Sequence, residues 1–122
     1  MSVIKELLRA NGFWTLNKKL VKKLGLEEAF LLSVLVEGEA VSESENDWFY
    51  QTADKIEEMT GLSSYKQNKI IKRFEKLGLL ERKLKDVPAK RYFKLNTEKI
   101  RGLLWKEQKV LEIILHKYRK NY

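Results

Sequence analysis

Between residues 63 and 91, this 122-residue chain places a dense set of side chains that can grip an anion or exchange hydrogen bonds with a polar partner. They are Ser63, Ser64, Tyr65, Lys66, Asn68, Lys69, Lys72, Arg73, Lys83, Lys85, Lys90 and Arg91. Ammonium and guanidinium groups neutralise phosphates, while hydroxyl and amide groups donate to and accept from polar edges. That chemistry is binding rather than bond-breaking. His116 is the only histidine, and with no cysteine and no nearby Asp it has nothing to complete a metal or nucleophile site. Glu27-Glu28 and Glu57-Glu58 are adjacent pairs, which point in different directions on a helix. No Gly-rich phosphate loop, nucleophile elbow or metal motif is present. The reading is therefore not an enzyme, with no cofactor and no metal.

The charge distribution points the same way. The chain carries +8 overall, with a sequence pI near 9.6. Residues 61–95 hold eleven basic and three acidic groups and residues 96–122 hold seven and three, whereas residues 1–60 are net acidic. Positive charge concentrated in one part of the chain implies one face made for a polyanion, nucleic acid before a membrane surface. Hydrophobic residues make up 43% of the chain and aromatic ones 11%, enough for one cored domain with at most a short appended helix. The lack of cysteine excludes a disulfide framework and fits a reducing compartment, so the cytoplasm is the expected location. Residues 1–11 interrupt their apolar positions with Lys5, Glu6 and Arg9, unlike a signal peptide. The most apolar run, residues 29–36, is far short of the roughly 20 residues that cross a bilayer, so no membrane partner is expected.

Stepping along the chain gives the elements that must hold these residues. Val3, Ile4, Leu7 and Leu8 share one face of a short helix ending near Gly12, after which Phe13 and Trp14 read as core anchors. Asn17 is a good N-cap for a helix closed by Gly25, and Glu27 and Glu28 open a third, central helix. Residues 38–47 read as an acidic loop and Trp48-Phe49-Tyr50 as a short aromatic strand, also assigned to the core. Thr52 caps a helix running to Thr60 with Ala53, Ile56 and Met59 inward. Gly61 and Leu62 form a turn, and Ser64 with Gln67 has the form of a capping box for the next helix. That helix buries Ile70 or Ile71, Phe74 and Leu77, and ends at Gly78. Residues 79–85 and 90–95 alternate as two strands joined across Asp86-Val87-Pro88-Ala89, a hairpin with a basic rim.

The order of helices, short strand, helix, turn, helix, ribbon and helix resembles a winged helix-turn-helix. The stretch from Thr52 through Gly61-Leu62-Ser63 to Leu77-Gly78-Leu79-Leu80 carries the likeness. The fold class expected is mostly α with a small β-wing, bearing additional N-terminal helices and a long C-terminal helix. The winged domain occupies residues 1–95, with the helix-turn-helix at 52–78 and the wing at 79–95. The resemblance implies double-stranded DNA as partner. A helix fits the major groove, and its first turns reach base edges while its N-terminus meets phosphate. Tyr65, Lys66, Asn68 and Lys69 are assigned to base edges because they lie in the first two turns, off the face of Ile71 and Phe74. Ser63, Ser64, Lys72 and Arg73 are assigned to phosphates, and Lys83, Lys85, Lys90 and Arg91 to backbone or minor groove beside the wing tip.

Residues 96–122 form the last helix, capped by Asn96 or Thr97, with Ile100, Leu103, Leu104, Leu111, Ile114, Leu115 and Tyr118 along one side. It is either a homodimerisation element or a helix folded back on its own chain. The layout from Phe13 to Leu95 is similar to the N-terminal domains of replication initiators and replisome organisers of Gram-positive plasmids and phages. The features are Trp14-Thr15-Leu16, the strand at Asp47-Trp48-Phe49-Tyr50, and the wing sequence Pro88-Ala89-Lys90-Arg91-Tyr92-Phe93-Lys94-Leu95. That likeness implies replication proteins as further partners. The alternatives are a dimeric winged-helix transcription regulator, whose site is a palindrome, and a winged helix that serves protein interaction alone.

Overall fold

A computed structural model describes residues 3–42, 47–104 and 114–117 of the chain. In chain order the elements are α1 (Val3–Ala10), α2 (Lys18–Leu24), α3 (Leu26–Val41), β1 (Phe49–Tyr50), α4 (Ala53–Thr60), α5 (Ser64–Lys76), β2 (Leu80–Lys85), β3 (Lys90–Leu95) and α6 (Thr97–Leu104). Short polar side chains satisfy the orphan amides at the helix starts. Asn17 Oδ1 accepts from Lys19 N and Leu20 N, Thr52 Oγ1 from Lys55 N, and Asn96 Oδ1 from Lys99 N.

The strands form an antiparallel sheet ordered β1-β3-β2. Phe49 sits opposite Phe93, and the hairpin register runs from Leu80 opposite Leu95 to Lys85 opposite Lys90. Two-residue alternation gives the sheet an inner face with Phe49, Leu80, Phe93 and Leu95, all buried, and an outer face of lysines and aromatic rings. The inner face closes over α5 through Ile70, Ile71 and Phe74, and over the centre of α3 through Leu31, Leu32 and Leu35. A short strand after the third helix, two further helices and then a ribbon that pairs with that strand is winged-helix topology. No helix among the described residues is long and apolar enough to cross a membrane.

Several local expectations are corrected. Helix α3 continues through Gly38 to Val41 instead of ending in a loop at residue 38. Gly38 serves packing there, because a Cβ would run into the Gln51 side-chain amide. Phe13 is 77% exposed rather than core, and Trp14 is only half-covered, edge-on to Phe30 with centroids 5.1 Å apart. Helix α1 buries none of its residues, so its apolar face is unpartnered within the described chain. Met59 and Leu77 are exposed, whereas Ile70 and Ile71 are both buried. Helix α6 packs on α2 with Ile100 buried, so residues 97–104 fold back on their own chain. Ile114 and Leu115 are helical and exposed, and Leu111 and Tyr118 lie outside the described residues.

Candidate nucleic-acid interface

The turn between α4 and α5 is built by the backbone needs of four residues. Thr60 Oγ1 donates to Ile56 O and accepts from Leu62 N, which turns the chain while Leu62 is driven into the core. Gly61 adopts φ +79 and Gly78 φ +74, left-handed positions that terminate α4 and α5 without a Cβ penalty. At Gly78 the amides of Gly78 and Leu79 return to Glu75 O and Phe74 O, which fixes where the ribbon begins. The N-cap of α5 is Ser63, whose Oγ accepts from Lys66 N at 3.2 Å; Ser64 is the first helical residue. The expected capping box of Ser64 and Gln67 is therefore not formed: the cap sits one position earlier, and the Gln67 side chain is engaged elsewhere. Ser63 spends its hydroxyl on the helix, while Ser64 is exposed beside it.

With Gln67, Ile70, Ile71 and Phe74 facing inward, the helical period turns Tyr65, Lys69, Lys72 and Lys76 to solvent, with Asn68 at the margin. Tyr65 is 77% exposed, and these side chains line one continuous shallow groove along α5. Lys69, Lys72 and Lys76 make no ion pair within the described chain. The other two cations of α5 are engaged. Lys66 Nζ lies 3.1 Å from Glu27 Oε2, and Arg73 Nη1 donates to Glu28 Oε2 at 3.0 Å and to Leu24 O at 2.7 Å. The two carboxylates that favour the first turn of α3 thus also hold the flank of α5.

Arg91 has the most distinctive environment in the molecule. It was expected beside the wing tip, and the strand register instead places it on the inner face of β3, opposite Leu84. Its Nη2 donates to Gln67 Oε1 at 2.8 Å, its Nη1 to Asn68 Oδ1 at 3.4 Å, and its Nε to Gln51 O at 3.3 Å. Burial first, and the nearby Arg82 charge second, pull its pKa below the ordinary guanidinium value. Gln67 is fully buried and completes the joint: its Nε2 donates to Ala53 O and Leu62 O. One glutamine therefore ties α4, the turn and α5 together, and one arginine ties that unit to the sheet. Sequence reasoning gave Gln67 only a capping role and missed this. An amide on the same helical face as Ile70, Ile71 and Phe74 was the available sign that it is buried, and a buried amide must be partnered.

The remaining wing cations stand on the outer face or at the tip. Lys83 Nζ lies 4.0 Å from the centroid of Trp48, Lys90 Nζ 5.1 Å from that of Tyr50, and Lys85 Nζ 6.0 Å from that of Tyr92. The hairpin tip residue Val87 is fully exposed. Of the predicted residues, the fold brings Tyr65, Asn68, Lys69 and Lys72 to one helix face and Lys83, Lys85 and Lys90 to the outer, exposed side of the wing. It turns Arg91 inward and fastens Lys66 and Arg73 to α3 and, for Arg73, the end of α2. Comparison with known protein families, with curated proteins and with solved structures finds no match to this chain. Lys76 joins the exposed stripe although sequence reasoning left it out; its spacing of seven from Lys69 and four from Lys72 was the sign for it.

Proposed function

We propose that this chain is a sequence-specific double-stranded DNA-binding protein that lays α5 in the major groove and sets its wing against the adjacent backbone. The observation that carries this reading is the exposed stripe of Tyr65, Asn68, Lys69, Lys72 and Lys76 on the helix that follows the turn in a winged-helix topology. A major groove about 12 Å wide accepts one helix, and side chains in its early turns reach base edges while later cations meet phosphate. Tyr65, Asn68 and Lys69 take the base-edge role, and Lys72 and Lys76 the phosphate role. Within this reading the residue pattern of the strand and wing favours replication initiation or replisome organisation on a plasmid or phage.

A second reading, a dimeric transcription regulator, is favoured by one specific observation: Val3, Ile4, Leu7 and Leu8 on α1 and Ile114 and Leu115 near the other end are exposed apolar residues that a second copy would cover. An anisotropy titration of the full chain against random duplex and against duplexes from its own genomic neighbourhood, at several salt concentrations, tests the proposal. Preferred binding to one fragment with a steep salt dependence is expected. Direct repeats inside that fragment favour the initiator, and a palindrome with half-sites about 34 to 36 Å apart favours the dimeric regulator. Absence of duplex binding at low salt overturns both and leaves a protein-interaction module.

A further inference from the structure

The outer face of the sheet is not part of the helix surface just described, and its composition is unusual for a solvent-facing sheet. Tyr50 on β1 sits opposite Tyr92 on β3 with ring centroids 5.7 Å apart, and Trp48 lies two residues before Tyr50, hence on the same face about 7 Å along the strand. Tyr50 is 49% exposed, and Trp48 and Tyr92 are half-buried, so the rings lie on the surface of the fold and do not fill its core. The same alternation brings Lys83, Lys85, Lys90 and Lys94 to this face, with Glu81 opposite Lys94. The Tyr92 hydroxyl donates to Asp86 Oδ2 at 3.0 Å.

We propose that this face, built of Trp48, Tyr50 and Tyr92 with Lys83, Lys90 and Lys94, binds single-stranded DNA. Bases stack on the rings and the lysines take the phosphates. Aromatic rings interleaved with ammonium groups are the two components that single-strand binding needs, stacking for the bases and a positive track for the backbone. Lys83 and Lys90 now lie over Trp48 and Tyr50. An exposed cation–π contact is weaker than base stacking, and the displaced ammonium gains a phosphate, so the exchange favours the bound strand. Cross-strand ring pairs and lysines also stabilise an empty sheet, but that role is served as well by β-branched residues, and it does not call for positive charge on three neighbouring strand positions. The face is continuous with the wing lysines of the proposed duplex surface, so a strand separated from that duplex meets it directly. The occupant assigned is therefore an unwound DNA strand, and not RNA.

The test uses the full chain and a labelled oligothymidylate of about fifteen nucleotides, followed by anisotropy and by tryptophan emission. Tyr50→Ala and Lys94→Ala are expected to weaken its binding by about five-fold or more each, with far-UV circular dichroism unchanged, while duplex affinity stays within about two-fold of the parent. Trp48→Phe is expected to abolish most of the emission quenching that the oligothymidylate causes. Lys69→Ala is expected to do the reverse, weakening duplex and sparing the single strand, so failure of the duplex reading and failure of this one are separable. Oligothymidylate binding that is untouched by both Tyr50→Ala and Lys94→Ala overturns the assignment of this face. An oligouridylate of the same length that binds as tightly overturns the choice of DNA.

Discussion

Replacing Arg91 by alanine separates a residue that builds the interface from one that touches a ligand. The substitution removes three hydrogen bonds and leaves Gln67 Oε1 buried without its 2.8 Å partner. An orphaned buried acceptor costs about 1–3 kcal/mol, and the charge-assisted bond to the Gln51 carbonyl adds about 1 kcal/mol after allowing for partial exposure. Relief of the unfavourable Arg82 charge returns a little of this. The expected loss is about 2–4 kcal/mol, which at about 4 °C per kcal/mol for a domain of this size lowers Tm by about 8–16 °C. Urea and thermal unfolding of Arg91→Ala, Gln67→Leu and the double variant measure it. Gln67→Leu strips Ala53 O and Leu62 O of a donor in both backgrounds, so that cost cancels in the cycle. The double variant no longer carries the orphaned Oε1, and is expected to lose about 1–2 kcal/mol less than the two singles added together. An Arg91→Ala protein within about 0.5 kcal/mol of the parent, with additive behaviour, refutes the clamp and returns Arg91 to the wing contacts.

Four further outcomes are expected. Lys69→Ala costs about 1–3 kcal/mol on the preferred duplex and relaxes its specificity, whereas Lys85→Ala weakens all duplexes alike and lowers the salt slope by about one; anisotropy titrations across salt distinguish them. Glu27→Gln releases Lys66 from its 3.1 Å ion pair, so duplex affinity rises and the salt slope steepens by about one, with folding stability changed by under about 1 kcal/mol. Leu31→Ala costs about 2–5 kcal/mol in urea unfolding while Leu8→Ala stays within about 0.5 kcal/mol, because Leu31 is fully buried and Leu8 is 71% exposed. Burial first and Asp47 second raise the Glu39 carboxyl above its ordinary value, so ionised Glu39 disfavours the folded state. The favourable contribution is present at pH below the ordinary Glu value and is lost as pH rises through the folded one. Glu39→Gln is therefore expected to raise Tm at pH 7, with the gain vanishing near pH 4.

What could be read before folding was what local chemistry decides. The caps at Asn17, Thr52 and Asn96, the stops at Gly61 and Gly78 and the two-residue alternation of the hairpin follow from backbone amides and from φ, which neighbours in sequence control. Gly38 misled because a glycine reads as a breaker, while its cause lies in Gln51, a neighbour in space only. Phe13 and Tyr50 misled because aromatic side chains are core on average, and whether a given ring is covered depends on the face it falls on. Assigning Trp48 and Tyr50 to the core rested on that average, and the register with β3 was the missing fact. Arg91 shows the same limit from the polar side. Six residues of the wing carry side chains of equal charge in sequence, and only the parity of the strand separates Arg91, facing Gln67, from Lys90, facing solvent.

That parity leads to a division of labour among the cations. Every arginine described between residues 61 and 104 is fastened to the protein: Arg73 to Glu28 and Leu24, Arg82 to Glu75, Arg91 to Gln67, Asn68 and Gln51, and Arg101 to Glu98. The lysines of α5 and the wing have one ion pair, three ring contacts or no partner among the described residues. The guanidinium fork suits the first use, since it holds several acceptors in fixed directions with modest loss of freedom per bond. A single ammonium on a flexible stem suits the second, because it can leave a weak partner and find a phosphate without disturbing the fold. Fixing α5 and the wing with arginines sets the spacing between the two lysine rows, and a surface whose spacing is set in advance loses less free energy on meeting a rigid duplex. The +8 carried by residues 61–95 is thus two populations of charge, one internal to the architecture and one free to act outward.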